Sequence, residues 1–178
     1  MPGVLDGEHL HLRSLNAQHL ETLRAWRYET GFSSPCLAWP PTDDALETLA
    51  RPTDTSRAFL IETHARETHR PEALGWCGLR GLDWKNRHAN LIWGSRRSAF
   101  NLEAEALGVL VGFVFLELGF ERVECETAAP DREASRVLEQ IGFRREATRR
   151  EAMRRNGRYV DSVIHAVLRE DWMLKVMP

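Results

Sequence analysis

The chain has 178 residues, of which 43% are hydrophobic and 28% charged, and its formal net charge is −2. That make-up is the one expected of a soluble globular protein with one sizeable core, so residues 1–178 read as a single domain. The charge balance excludes a protein that grips nucleic acid through overall basicity. In chain order, His9 to Leu15 alternates apolar and polar residues and predicts a strand with one buried face. Asn16 is placed to cap a helix from Ala17 to about Glu29, with Leu20, Leu23 and Trp26 at helical spacing. Thr30 to Pro41 carries Gly31, Pro35, Pro40 and Pro41 and predicts a loop. Its aromatic residues Phe32 and Trp39 could line an acceptor pocket or cover the core edge. Thr42, ahead of Asp43 and Asp44, starts a second helix up to about Ala50.

Arg57 to His64, Leu74 to Leu82 and Ala89 to Gly94 predict three strands, the first two separated by a polar turn from Ala65 to Ala73 and the last two by the turn Asp83 to His88. After a polar stretch with Arg96 and Arg97 comes Leu102 to Leu118. Val109 to Leu116 could be a strand locally, but the segment is too long for one and opens with Glu103, Ala104, Glu105 and Ala106, so it predicts a helix. Gly108 and Gly112 weaken that helix by roughly 1 kcal/mol each against Ala and let another element approach it closely. A strand running into a helix start also aims unpaired N–H groups at one spot, a site suited to an anion such as a phosphate. Arg122 to Thr127 predicts a strand, Asp131 a cap for a helix from Arg132 to Ile141, and Gly142 its left-handed end. Phe143 to about Arg155 and Val160 to Arg169 predict a hairpin around Asn156-Gly157, with one helical turn in the tail Glu170 to Val176. The order of elements gives an α/β (α+β) domain around one mixed sheet.

Cys36, Cys77 and Cys125 are odd in number and far apart, which argues against a disulfide framework or a zinc site and for a reducing compartment. No metal spacing occurs among the histidines. The N-terminal MPGVLDGEHLHL has neither the basic start nor the apolar core of a secretory signal, and the longest apolar run, Leu107 to Leu116, is too short to span a bilayer. The expected address is therefore the cytoplasm, with no membrane partner.

Five stretches carry a resemblance to a known family: HLRSLNAQHLETL, GLRGLDWKNRHANLIWG, EALGVLVGFVFLELGFERVE, SRVLEQIGFRREATRR and GRYVDSVIHAVLREDW. In this order the chain resembles a GNAT-type N-acetyltransferase, in the branch similar to the Rim ribosomal-protein N-terminal acetyltransferases. The resemblance implies a twisted mixed sheet split at its centre by acetyl-CoA as co-substrate, with no metal. The pantetheine would lie between Ala89–Gly94 and Arg122–Thr127, along Leu91, Ile92 and Trp93. The pyrophosphate would sit at Ser98, Asn101 and Leu102, with Arg96 and Arg97 nearby. Asp131 and Arg136 complete the implied donor contacts. The acceptor would be an amine, of a protein N-terminus or a small molecule, and a homodimer is compatible with the family.

The sequence departs from that family at the pyrophosphate loop. Ser98, Asn101 and Glu103 stand where the family has Gln or Arg, Gly, and Gly or Ala, and a Glu103 carboxylate facing a diphosphate would oppose binding. Arg96 and Arg97 could offset it through charge-assisted hydrogen bonds, and Asn101 could replace a glycine by tolerating a positive φ. These departures keep a second class in view, a GNAT-fold interaction module without acyl-CoA binding. For acetyl transfer, Glu124 and Glu126 share one face of a strand and could form a base, or pair with arginines. Ser135 and Tyr159 are the candidate acids for the leaving thiolate. Arginine pairs beginning at Arg144, Arg149 and Arg154, interleaved with Glu146 and Glu151, form a salt-bridged strand face or a phosphate-binding rim.

Overall fold

The computed structural model describes residues 3–37, 41–64, 71–96, 100–155 and 157–176. The chain runs β1 (Val4–Asp6), β2 (Leu10–Ser14), a 3-10 turn (Ala17–His19), α1 (Leu20–Trp26), β3 (Phe32–Ser33), α2 (Asp43–Ala50), β4 (Ser56–Thr63), β5 (Ala73–Asp83) and β6 (His88–Arg96). It continues with α3 (Phe100–Leu116), β7 (Arg122–Ala128), α4 (Arg132–Gln140), β8 (Arg144–Arg155), β9 (Arg158–Leu168) and α5 (Arg169–Val176). The described strands form one mixed sheet in the order β1-β2-β4-β5-β6-β7-β9-β8, with β3 paired to β6.

The helix starts follow from short polar side chains. Asn16 Oδ1 accepts from the Gln18 N–H at 2.9 Å, Thr42 Oγ1 from Ala45 at 3.2 Å and Asp131 Oδ1 from Ala134 at 3.2 Å. Gly142, at φ +105, closes α4 in the left-handed region. The long apolar segment is the helix α3, and Gly112 admits a close neighbour: a Cβ there would lie 3.4 Å from the Trp172 ring of α5. Trp172 also packs against Phe115 at 5.6 Å between centroids.

Cross-strand register fixes the two faces of the sheet. Phe59, Cys77 and Trp93 are successive partners across β4, β5 and β6. Phe59 meets Phe113 of α3 edge-on at 6.5 Å, so this row faces α3. Alternation then turns Ala58, Ile92 and their neighbours toward α2, on the opposite face.

Two short strands lie where the sequence gives no signal. Val4–Asp6 pairs with β2, and Phe32–Ser33 lies inside the segment expected to be loop. The first α-helix stops at Trp26 rather than about Glu29, and the tail forms a helix of eight residues rather than one turn. Trp39, most of the turn Ala65 to Ala73, and Asn156 of the hairpin turn lie outside the described residues. Among the described residues, no helix is long and apolar enough to cross a membrane, and no group of His, Cys, Asp and Glu is arranged to hold a metal ion.

Candidate functional site

The sheet opens at its centre. Strands β6 and β7 run parallel but pair only from His88↔Arg122 through Ala89↔Val123 to Asn90↔Glu124. Beyond Asn90, β6 keeps β5 on one edge, with Gly75 opposite Ser95. On its other edge β7 is replaced by β3, where Phe32 pairs with Arg96 and Ser33 with Ser95. Leu91 and Trp93 are buried at 1% exposure, and Ile92 is buried facing the other side.

The residues after β3 bridge the opening. Ser34 Oγ donates to the Trp93 carbonyl at 2.5 Å, and the Ala128 N–H donates to the Pro35 carbonyl at 3.2 Å. Arg155 Nη2, from the far hairpin, donates to the Ser34 carbonyl at 2.5 Å. Cys36 Sγ stands 3.5 Å from Cys125 Sγ, both buried. Phe32 to Cys36 therefore ties β6 to β7 and the β8–β9 hairpin across the gap. Sequence reasoning missed this because a two-residue strand beside proline carries no periodicity. On β7 the buried Thr127 hydroxyl has no hydrogen-bond partner among the described residues.

Glu103, in the first turn of α3, is buried at 5% exposure and accepts a hydrogen bond from Ser95 Oγ. Burial pushes its carboxyl up to about 7, against the pull of the Ser95 hydrogen bond, and Asp131 and Glu133 of α4 push in the same direction as burial. These carboxylates line a small cavity of about 100 Å³ with Ser33, Trp93 and Ser95.

Other expectations at the helix start are corrected. Arg96 does not offset Glu103: its guanidinium donates to Glu29 at 3.0 Å, Glu72 at 3.2 Å and the Ala73 carbonyl at 3.0 Å, over the Trp26 ring. Asn101 does not replace a glycine through a positive φ, since it lies within α3 and, among the described residues, the non-glycine residues with positive φ are Arg87 and Glu151. Arg97 and Ser98 lie outside the described residues. Leu102 packs partly buried against the core.

Asp131 is spent on capping α4. Arg136 is mostly exposed and pairs with Glu133 at 3.5 Å. Ser135 sits half-buried in the first turn of α4. Glu124 accepts from Arg122 at 2.7 Å. Glu126 accepts from Arg149 at 3.0 Å and from Ser162 Oγ at 2.5 Å. Of the two readings for this carboxylate pair, arginine pairing is the one seen. Tyr159 is 68% exposed on the final hairpin. Of the arginine pairs, Arg144 bonds Asp171 and Arg149 bonds Glu126.

A mixed sheet whose central parallel strands part beside a helix start is the frame of a GNAT acetyltransferase. The chain belongs to that family: the acetyltransferase (GNAT) domain matches residues 9–144. It is similar to the uncharacterized N-acetyltransferase p20 of Bacillus licheniformis, at 22% identity over 103 residues; the match spans 57% of this chain and 58% of that relative. Among solved structures it matches a spermidine N-acetyltransferase SpeG chimera from Vibrio cholerae and hSSAT, with a TM-score of 0.77 and 19% identity over 93% of this chain and 99% of that one. It also matches the Vibrio cholerae spermidine N-acetyltransferase in complex with CoA and spermine, with a TM-score of 0.76 and 18% identity over 93% and 98% of the two chains. At these identities the structural likeness concerns the fold.

Proposed function

We propose that this chain is an N-acyltransferase that takes an acetyl group from acetyl-CoA to an amine, and that the described conformation is its closed state. The observation that carries the reading is the parting of β6 and β7 after three paired positions in a member of this family. When bound, acetyl-CoA would supply the activated thioester. As arranged here, the residues do not fit it. Of the β6 stretch that a pantetheine would follow, Leu91 to Trp93, the Trp93 carbonyl is taken by Ser34, and Phe32 and Ser33 pair just beyond it, at Arg96 and Ser95. A buried acid, Glu103, stands at the start of α3 in place of a small residue.

Opening therefore requires the 32–36 segment to leave the gap. That exchange would free the Trp93 carbonyl, while Thr127 offers on the β7 side a hydroxyl that is buried without a partner among the described residues. Glu124 and Glu126 face the same side of the sheet as Asn90, by their register with β6. Their arginine and serine partners hold both carboxylates in place. Of the two candidate acids, Ser135 shares the first turn of α4 with the cavity-lining Glu133 and Ala134, and Tyr159 is exposed on the final hairpin.

A second reading, a GNAT-fold interaction module without acyl-CoA binding, is favoured by the same filled gap and by Glu103. Calorimetric titration with acetyl-CoA and CoA separates the two, run on the wild-type chain and on Arg155→Ala, which removes the guanidinium that clamps Ser34. The closed enzyme predicts binding that tightens in the variant, followed by acetylated amine product. Absence of binding in both proteins would leave the module.

A further inference from the structure

A second cavity, of about 240 Å³, opens on the α2 face of the sheet. Leu37, Leu49 and Ala58 give it apolar walls, and Ile92 of β6 borders it from the face opposite Trp93. Among the described residues its lining includes Arg57 and Arg80 and no carboxylate. Arg80 has no ion pair among the described residues, and Arg57 Nε is buried without a hydrogen-bond partner. Arg24, Arg27 and Arg96 sit on acids, while Arg51, Arg87 and Arg132 also make no ion pair among the described residues; what sets Arg57 and Arg80 apart is that both line one cavity. Arg80 stands opposite Asn90 in register, and Asn90 is the last residue of β6 paired with β7. The uncommitted cation thus lies at the level where the central strands part, and the apolar wall at Ile92 lies two residues further toward the open end.

We propose that this cavity takes the amine acceptor, and that the acceptor joins its amine to an apolar body and a carboxylate. The proposal rests on the acyltransferase reading. Two arginines without carboxylates favour an anionic group, which Arg can grip through paired N–H donors. A polyamine would bring like charge to the same place and find no acid in the lining to offset it. The apolar walls suit a hydrocarbon segment between the anion and the amine, which must reach the gap between β6 and β7.

Matched pairs of small amines test this on the full chain by calorimetry: 6-aminohexanoate against pentylamine, 4-(aminomethyl)benzoate against benzylamine, and spermidine. Each carboxylate-bearing amine should bind roughly tenfold tighter than its partner, the worth of one charge-assisted hydrogen bond. Arg80→Gln should erase that difference and leave the plain amines unchanged. Arg80 is exposed and carries no structural ion pair, so the variant should fold, and an unchanged melting temperature verifies it. Tightest binding by spermidine, equal binding within each pair, a preference that survives Arg80→Gln, or no binding of any probe overturns the proposal. A carboxylate preference without acetylated product on adding acetyl-CoA keeps the ligand class and removes the acyltransferase reading.

Discussion

The substitution Glu103→Gln should stabilise the protein, and only above mildly acidic pH. The Glu103 side chain is 5% exposed, its hydroxyl partner is Ser95, and Asp131 and Glu133 of α4 face it with their own negative charge. Its carboxyl rises from an ordinary value of 4.5 to about 7 in the folded chain, first because burial disfavours the charged form. In the unfolded chain the proton leaves near 4.5, so between the two values the folded state holds more proton and stability falls as pH rises. At about 1.4 kcal/mol per pH unit, the full penalty above pH 7 is about 3 kcal/mol. The side-chain amide of the variant is neutral at every pH and can still hydrogen-bond Ser95. Urea denaturation of both proteins should therefore give matching stabilities near pH 4.5 and a variant more stable by about 3 kcal/mol at pH 8. In a chain of this size that corresponds to a melting temperature higher by about 6–12 °C. A difference that does not change with pH, or a variant that is weaker at pH 8, would show that the acid is not buried in charged form and would refute the reasoning.

Three other perturbations have defined outcomes. Trp172→Ala removes the ring that fills the space beside Gly112 and Phe115, and should lower stability by about 3–5 kcal/mol in denaturant titration. Glu126→Ala strands the buried Ser162 hydroxyl and frees Arg149, and should destabilise by about 1–3 kcal/mol, whereas Glu126→Gln, which can still accept from Ser162, should lose less. Tyr159→Phe should leave any acetyl-transfer rate within about twofold, because the ring is exposed on the hairpin; a fall of about a hundredfold would instead make Tyr159 the acid for the leaving thiolate.

Much of the fold was legible in the residues. Asn16, Thr42 and Asp131 mark helix starts through a hydrogen bond made within three residues, so the local sequence contains the whole cause. Gly142 marks a helix end for the same reason. The α3 segment was ambiguous over Val109 to Leu116, and its length and acidic first turn settled it correctly. The site was less legible. Arg96 was expected beside Glu103, yet it bonds Glu29 and Glu72, residues 67 and 24 positions away that no spacing rule connects to it. Glu124 and Glu126 were correctly placed on one face, and Glu124 meets Arg122 of its own strand, but the Arg149 that meets Glu126 arrives only because β8 lies beyond β9 in the sheet.

By itself the sequence determined the alternation, the caps, the order of elements and the match to a GNAT frame, because each depends on neighbours within a turn or a strand. Only the tertiary structure decided what fills the central gap. The 32–36 segment is held there by Trp93 of β6, Cys125 and Ala128 of β7, and Arg155 at the end of β8, partners that are far apart along the chain. Burial of Glu103 and the uncommitted state of Arg80 are likewise products of packing. A charge gains or lacks a partner according to which strands become neighbours, and that pairing is settled by the whole core rather than by any local pattern.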